Sequence, residues 1–330
     1  MVAGKALVTG ATGGLGQILT ARLLAAGREV VATGRDAEKG AALARAGAQF
    51  VRADLVGDDL AALVAGCGSV FHLAALSSPW GARADFVAAN LTATQRLLAA
   101  ARDAGCRTFV FASTPSVYTM PRDQLGLTEA SPLPPRLVND YADTKFQAER
   151  AVLAASAAGF HTVALRPRAI IGPFDQVLLP RLLHAAERGF LPLPGYGRAL
   201  IEPTDARDVA AALMAAEARS EQARGLVFNI SGGAPVRLGD FAAHVFRKLG
   251  KQVRLVPIPA GLALGLAGVA EFVAGHRAGR PEPRLTRYAV MALGWSQTFD
   301  LTRARTVLDW QPHHTPHDAA DWALKERGYA

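Results

Sequence analysis

The sequence predicts an α/β protein, a doubly wound parallel sheet covered by helices on both faces and carrying a smaller C-terminal substrate lobe. Through the first half of the chain, short β-branched runs alternate with Ala- and Leu-rich stretches at helical spacing. Those runs are almost continuously apolar, the pattern of strands buried on both sides rather than one. At 330 residues the chain also exceeds the roughly 250–300 at which a single hydrophobic core stops growing.

Strands are expected at 5–9, 29–33, 49–52, 69–73, 108–113 and 161–166, with helices between them at 15–26, 86–104 and 141–158. Pro-rich turns at 132–135, 192–195 and 281–283 then break the chain into shorter pieces, and 226–230 reads as one more strand. The expected division is a first domain over 1–167, a return of the chain to it near 201–230, and a lobe made from most of 168–330. Residues 1–4 lead straight into the first strand without a signal-peptide pattern.

Composition excludes several function classes. A 50% hydrophobic and 19% charged chain is not disordered. Two cysteines, Cys67 and Cys106, make neither a disulfide framework nor a zinc ribbon, and a reducing cytoplasm is expected. The net charge of +8 comes from scattered arginines with only 7% aromatics, so no nucleic-acid partner is expected. The apolar stretch 258–274 contains Pro259, several glycines and Glu271 and is shorter than the ~20 residues a bilayer demands. No stable membrane insertion is expected; the stretch reads as a core helix or the wall of a hydrophobic pocket. His313, His314 and His317 lack a completing carboxylate or thiol pattern, so no metal is expected. Asp205 and Asp208 read as a turn and cap before a helix at 209–218.

After the first strand comes Thr9-Gly10-Ala11-Thr12-Gly13-Gly14-Leu15-Gly16 and then a helix. Gly10 permits the tight turn, Gly13 close backbone approach to a pyrophosphate, and Gly16 close helix–strand packing. The helix N-terminus offers free N–H groups to phosphate. Thr9, Gly10, Thr12, Gly13, Gly14, Leu15 and Gly16 are therefore the expected dinucleotide contacts. The second strand ends Thr33-Gly34-Arg35-Asp36. A carboxylate at that strand end would accept ribose hydroxyls of NAD, whereas an Arg suits the 2′-phosphate of NADP. Arg35 follows Gly34, and Asp36 reads as the cap of the next helix, so NADP(H) is favoured with NAD(H) possible.

Tyr141 and Lys145, four apart on a helix, share one face. A phenol titrates near pH ~10, and a neighbouring ammonium and a positive nicotinamide ring both favour its ionised form; such a pair makes a proton donor and acceptor for carbonyl chemistry. Lys145 can also hold the nicotinamide ribose. The fifth strand ends at Ser113-Thr114, and either hydroxyl could orient a substrate oxygen towards Tyr141. His72 follows a buried strand and reads as packing beside the cofactor rather than as a base.

Together these motifs resemble the extended short-chain dehydrogenase/reductases. The likeness rests on the glycine turn, Asp54-Leu55, His72-Leu73-Ala74-Ala75, Asn90 in Asn90-Leu91-Thr92, Ser113-Thr114, Tyr141-x-x-x-Lys145 and Leu165-Arg166-Pro167. It implies a Rossmann fold. It places the catalytic hydroxyl at Thr114, four residues before Tyr118. It implies that Asp54 and Leu55 flank the adenine, that Leu73, Ala74, Ala75 and Pro167 lie by the cofactor, and that Asn90 belongs to a proton relay behind Lys145. A homodimer through helices 86–104 and 141–158 is implied too. Residues 113–117, 141–150, 163–168, 178–182 and 285–287 resemble the 3β-hydroxysteroid dehydrogenase-like branch, which includes the 2-alkyl-3-oxoalkanoate reductases. The segment around 258–274 departs from it, and there the substrate should be chosen.

The expected function is an NADP(H)-dependent oxidoreductase interconverting a ketone and a secondary alcohol on a hydrophobic, steroid-like or 2-alkyl-3-oxoacid-like substrate. One alternative is a nucleotide-sugar epimerase or dehydratase with tightly bound NAD. Against it, Pro115-Ser116 follow Thr114 where dehydratases carry acids, and Arg166-Pro167-Arg168-Ala169 lacks the Asn of sugar-nucleotide enzymes. The other is a non-catalytic NADPH sensor, against which intact Thr114, Tyr141 and Lys145 speak.

Overall fold

The computed structural model describes residues 4–175 and 178–329. The expected lead-in at residues 1–3 lies outside them. Seven strands form the main sheet: β1 (Lys5–Thr9), β2 (Val30–Gly34), β3 (Gln49–Arg52), β4 (Cys67–His72), β5 (Thr108–Ala112), β6 (His161–Pro167) and β7 (Val227–Ile230). They lie in the order β7-β6-β5-β4-β1-β2-β3, and every pairing is parallel. The order reverses between β1 and β4. A crevice beyond the carboxyl ends of those two strands is where such a sheet takes its ligand.

Both faces are covered, which is why the central strands are apolar throughout. On one face α1 (Gly14–Ala25) packs Leu19 and Leu23 in the same core as Val209 and Leu213 of a helix over Ala206–Ala218. On the other, Leu97 and Ala101 share a core with Ala148 and Val152. These residues come from a helix over 83–103 and from Asp140–Ala154. The first of these, expected as regular over 86–104, is interrupted by a π segment, Val87–Thr92, that contains Asn90. Asp36 caps the helix Ala37–Arg45 by accepting from the Lys39 N–H at 3.1 Å, as its place in the sequence suggested.

The lobe gathers around Leu182, Phe241, Val245, Ala320 and Leu324, from helices Leu179–Arg188, Leu238–Lys248 and Pro316–Glu326. Its strands are short two-stranded pieces, such as Phe190–Pro194 with Arg254–Ile258. The apolar stretch becomes the helix Ala260–His276. Its inward face is narrow and made of small residues, Ala263 and Ala267, against Val290. Leu262, Leu266, Val269 and Phe272 on the outer face are exposed, so the helix is not a core helix. No described helix is long and apolar enough to cross a membrane.

Candidate functional site

The glycine turn is built for close approach. Gly10 has φ 66°, and a Cβ there would meet the Ala74 nitrogen at 2.8 Å. Only glycine relieves both the left-handed backbone and the contact with the chain leaving β4. A Cβ at Gly16 would meet the Gly10 carbonyl oxygen at 2.2 Å, so helix and strand touch backbone to backbone. Gly13, by contrast, meets only that same oxygen, at 3.1 Å, and opens outward. α1 begins at Gly13 with no side-chain cap, leaving its first N–H groups for an anion. These residues fit a dinucleotide.

At the end of β2, Gly34 is not a gap awaiting an acid. A Cβ there would meet Thr12 Oγ1 at 2.4 Å, because the Thr12 side chain fills that space. Asp36 is committed to its helix cap and pairs with Lys39 at 3.4 Å. The Lys39 backbone N–H holds its carboxyl below the usual value. Arg35 projects to the exposed side, and Arg52 Nε donates to the Arg35 carbonyl at 3.1 Å, bringing a second guanidinium to the same corner. Asp54 is exposed and accepts from the Val56 N–H at 3.0 Å, while Leu55 beneath it is buried. Arg96 braces this turn through the carbonyls of Leu55 and Asp58, both at 2.7 Å, and of Val56.

Tyr141 and Lys145 lie in the first turns of the helix capped by Asn139, which accepts from the Ala142 N–H at 2.9 Å. The Tyr141 phenol is pushed above its ordinary value by burial, and by Tyr288 next; polar contacts with Thr114 and Ser77 oppose the rise. Lys145 is buried, and its Nζ donates to the Ala112 carbonyl at 2.6 Å, 3.9 Å from the centre of the Phe111 ring. Burial lowers its pKa to about 7. The side chains alone therefore do not acidify the phenol as expected from the spacing. The amine faces a backbone carbonyl, and burial opposes charge on both groups.

The two hydroxyls at the end of β5 part company. Ser113 donates to Glu149 Oε2 at 2.6 Å, and Glu149 is held by Arg166, whose Nε donates to the same oxygen at 2.8 Å. Arg166 Nη2 also pairs with Glu149 Oε1, and Nη1 meets the Tyr118 hydroxyl. Ser113 thus belongs to a buried ionic network beneath the site. Thr114 faces the crevice, where Oγ1 donates to Ser116 Oγ at 2.9 Å. Ser116 Oγ in turn lies 2.9 Å from the Tyr288 hydroxyl. Sequence reasoning missed Ser77, Ser116 and Tyr288 at the site and Glu149 below it. Of these, only Glu149 left a signal, a carboxylate one turn beyond Lys145.

Asn90 divides its amide between the loop after β4 and the helix Asp140–Ala154. Its Oδ1 accepts from the Leu76 N–H at 2.7 Å, and Nδ2 donates to the Leu76 carbonyl at 3.2 Å and to Thr144 at 3.3 Å. Its nearest tie to Lys145 is thus through the preceding residue. His72 sits between Thr9 at 2.7 Å and Thr94 at 2.8 Å. Thr94 donates its hydrogen to the Asn90 carbonyl at 2.6 Å, so it accepts from His72 Nε2–H and leaves Nδ1 to accept from Thr9. Burial lowers the His72 pKa to about 3, and the ring is a neutral strut. Leu73, Ala74 and Ala75 follow it out of β4, the Ala74 N–H donating to Thr9 Oγ1 at 3.3 Å, and Pro167 ends β6.

Away from the crevice, Asp205 caps the helix Ala206–Ala218. Asp208 accepts from the backbone N–H groups of His313 and His314 at 3.0 and 2.9 Å and bonds His314 Nδ1 at 2.9 Å. The His317 ring packs at a tilt against His244, with centroids 4.4 Å apart. Among the described residues no group of three or more His, Cys, Asp or Glu could hold a metal.

The profile of the NAD dependent epimerase/dehydratase family matches residues 6–231. The chain is 35% identical over 316 residues to a 2-alkyl-3-oxoalkanoate reductase of Stenotrophomonas maltophilia, covering 93% of this chain and 94% of the relative. It is 34% identical over 329 residues to a 4-hydroxy-2-methyl-3-oxo-4-farnesyl-3,4-dihydroquinoline-1-oxide ketoreductase of Stigmatella aurantiaca, covering 99% and 97%. Among solved structures, MoeE5 in complex with UDP-glucose and NAD is similar with a TM-score of 0.79 at 26% identity, over 98% of this chain and 99% of that one.

Proposed function

The chain belongs to the NAD-dependent epimerase/dehydratase family, the extended short-chain dehydrogenase/reductases, and from that premise we propose that it is an NADP(H)-dependent reductase of a ketone on a hydrophobic substrate. The observation that carries this reading is the convergence of Tyr141 and Thr114 at the crevice while Ser113 is turned away into the Glu149–Arg166 pair. A bound nicotinamide supplies the reducing equivalent. Thr114, turning its one proton away from Ser116 Oγ, donates to the carbonyl oxygen and fixes its direction, and Tyr141 delivers the proton that completes the alcohol. Lys145, with a pKa of about 7, exchanges a proton readily at neutral pH and is placed to hold the ribose. Gly10, Gly13 and the open end of α1 take the pyrophosphate, and Arg35 takes the 2′-phosphate.

Names of the two relatives support a ketone rather than a sugar nucleotide. The likeness to MoeE5, whose structure holds UDP-glucose and NAD, favours a second reading, a nucleotide-sugar epimerase or dehydratase with tightly bound NAD. Pro115 and Ser116 stand against a dehydratase, and Arg166-Pro167-Arg168-Ala169, lacking an Asn, stands against a nucleotide sugar; NAD released from the purified, denatured protein would support this reading.

The test is a panel of long-chain ketones with NADPH, run on the wild type and on Tyr141→Phe. The variant should bind NADPH with unchanged affinity and lose turnover by roughly 100- to 10,000-fold. Full turnover by the variant would require a different proton donor.

A further inference from the structure

Beyond the proton donor, a buried cation lies beside Tyr288 at the edge of the site, and the chemistry above does not use it. Arg168 leaves the carboxyl end of β6, one residue past Pro167. Its backbone is fixed: the N–H donates to the Ile230 carbonyl at 2.8 Å, and its own carbonyl accepts from the Thr204 hydroxyl. The next residue, Ala169, has φ 40°, a left-handed conformation that non-glycine residues rarely adopt and that clusters at ligand sites.

The Arg168 side chain is only 6% exposed. Nη2 donates to the Ala292 carbonyl at 3.1 Å, in the helix Arg287–Gly294 of the lobe. Nε is sealed from water and has no hydrogen-bond partner. Of the acids, Glu202 is near enough for its charge to act on Arg168, but no hydrogen bond joins the two; its carboxylate accepts from the Ser231 hydroxyl and, at 3.4 Å, from the Phe299 N–H. Tyr288 stands in the same helix, close enough to act electrostatically on both Arg168 and Tyr141, and its hydroxyl joins the Ser116–Thr114 chain. A buried guanidinium with an unmet N–H needs an acceptor, and the planar fork suits a carboxylate.

We propose that Arg168, with Tyr288 beside it, is the anchor for a substrate carboxylate lying a few bonds from the carbonyl that Thr114 and Tyr141 face. This rests on the reductase reading and assigns a residue to the acid group of the 2-alkyl-3-oxoacid-like substrate expected from the sequence. The carboxylate itself makes and breaks no bond. It sets which carbonyl carbon stands over the cofactor and lets a hydrophobic molecule enter in one orientation.

The experiment compares 3-oxododecanoate, its methyl ester and 2-undecanone as substrates with NADPH, for the wild type, Arg168→Gln and Arg168→Lys. The wild type should reduce the acid with a kcat/KM roughly 10- to 100-fold above the ester, the range for hydrogen bonds to a charged group. Arg168→Gln should lose that preference through a raised KM for the acid, with the ester within about twofold, and Arg168→Lys should keep part of it. Dodecanoate should inhibit the wild type where dodecanamide does not. Equal kcat/KM for acid and ester in the wild type overturns the proposal, and that comparison stands even if Arg168→Gln does not fold. A variant that loses acid and ester alike makes Arg168 a staple for the lobe helix and overturns it too. If none of the three compounds is reduced, the reductase reading falls. Calorimetry on the cofactor-free protein then decides the anchor: dodecanoate binding that exceeds dodecanamide binding supports it, and equal binding overturns it.

Discussion

Removing either hydroxyl at the end of β5 should have opposite consequences. Ser113 donates to a buried carboxylate at 2.6 Å, and hydrogen bonds to charged groups contribute about 1.5–3 kcal/mol. Glu149 keeps Arg166 when the serine is gone, so the lower half of that range applies, about 2 kcal/mol. For a chain of this size each kcal/mol moves the melting midpoint by about 2 °C, and Ser113→Ala should melt about 4 °C lower. Its kcat on a ketone substrate should stay within a factor of about two. Thr114→Ala keeps the ionic network but loses the donor aimed at the substrate oxygen. It should cost roughly 100- to 1,000-fold in kcat, as for other oxyanion donors, with a melt near the wild type. Thermal melts followed by circular dichroism, beside kcat on one ketone, read both effects. An inactive Ser113→Ala with an unchanged melt, paired with an active Thr114→Ala, would refute the assignment of the two hydroxyls.

Two further outcomes follow from the geometry. Arg35→Ala should raise KM for NADPH by roughly 10- to 100-fold and leave NADH nearly unchanged, since only the former carries the phosphate; equal effects would remove Arg35 from the site. His72 is kept neutral in the fold down to about pH 3 but takes a proton near 6.5 once unfolded, so its contribution to stability is lost as pH falls below 6.5. Between pH 6 and 4 the wild type should lose about 1.4 kcal/mol per pH unit more than His72→Asn in urea titrations, and parallel slopes would contradict the buried neutral ring.

The sequence was most informative where residue type answers a backbone demand. Gly10 and Gly16 are legible because no other residue fits a left-handed turn pressed on Ala74 or a helix lying on its strand. Asp36 is legible as a cap because the cap is local. The choice between Ser113 and Thr114 is not in the residues themselves. Neighbours at a strand end face opposite ways, and what claims Ser113 is a carboxylate 36 residues further along. Arg168 and Tyr288 are further out of reach, since the lobe that joins them folds from segments more than a hundred residues apart. The π segment at Asn90 carries no periodic mark of its own, being a single-turn departure inside a helical pattern. Spacing puts a lysine on the phenol's face without saying which way its amine turns, and the Lys145 amine turns to the Ala112 carbonyl.

β7 lies at the edge of the main sheet, yet its residues come only after the chain has already run through a lobe helix, one short strand pair and one strand each of two more. The nucleotide half and the lobe are therefore not modules that trade places by a single crossover. A gene fragment ending at residue 167 would leave His161–Pro167 as a naked border, with a row of amides and carbonyls ready to recruit a strand from another molecule. Any transplant of substrate preference between relatives has to carry both stretches of the lobe, before and after Val227–Ile230, at once.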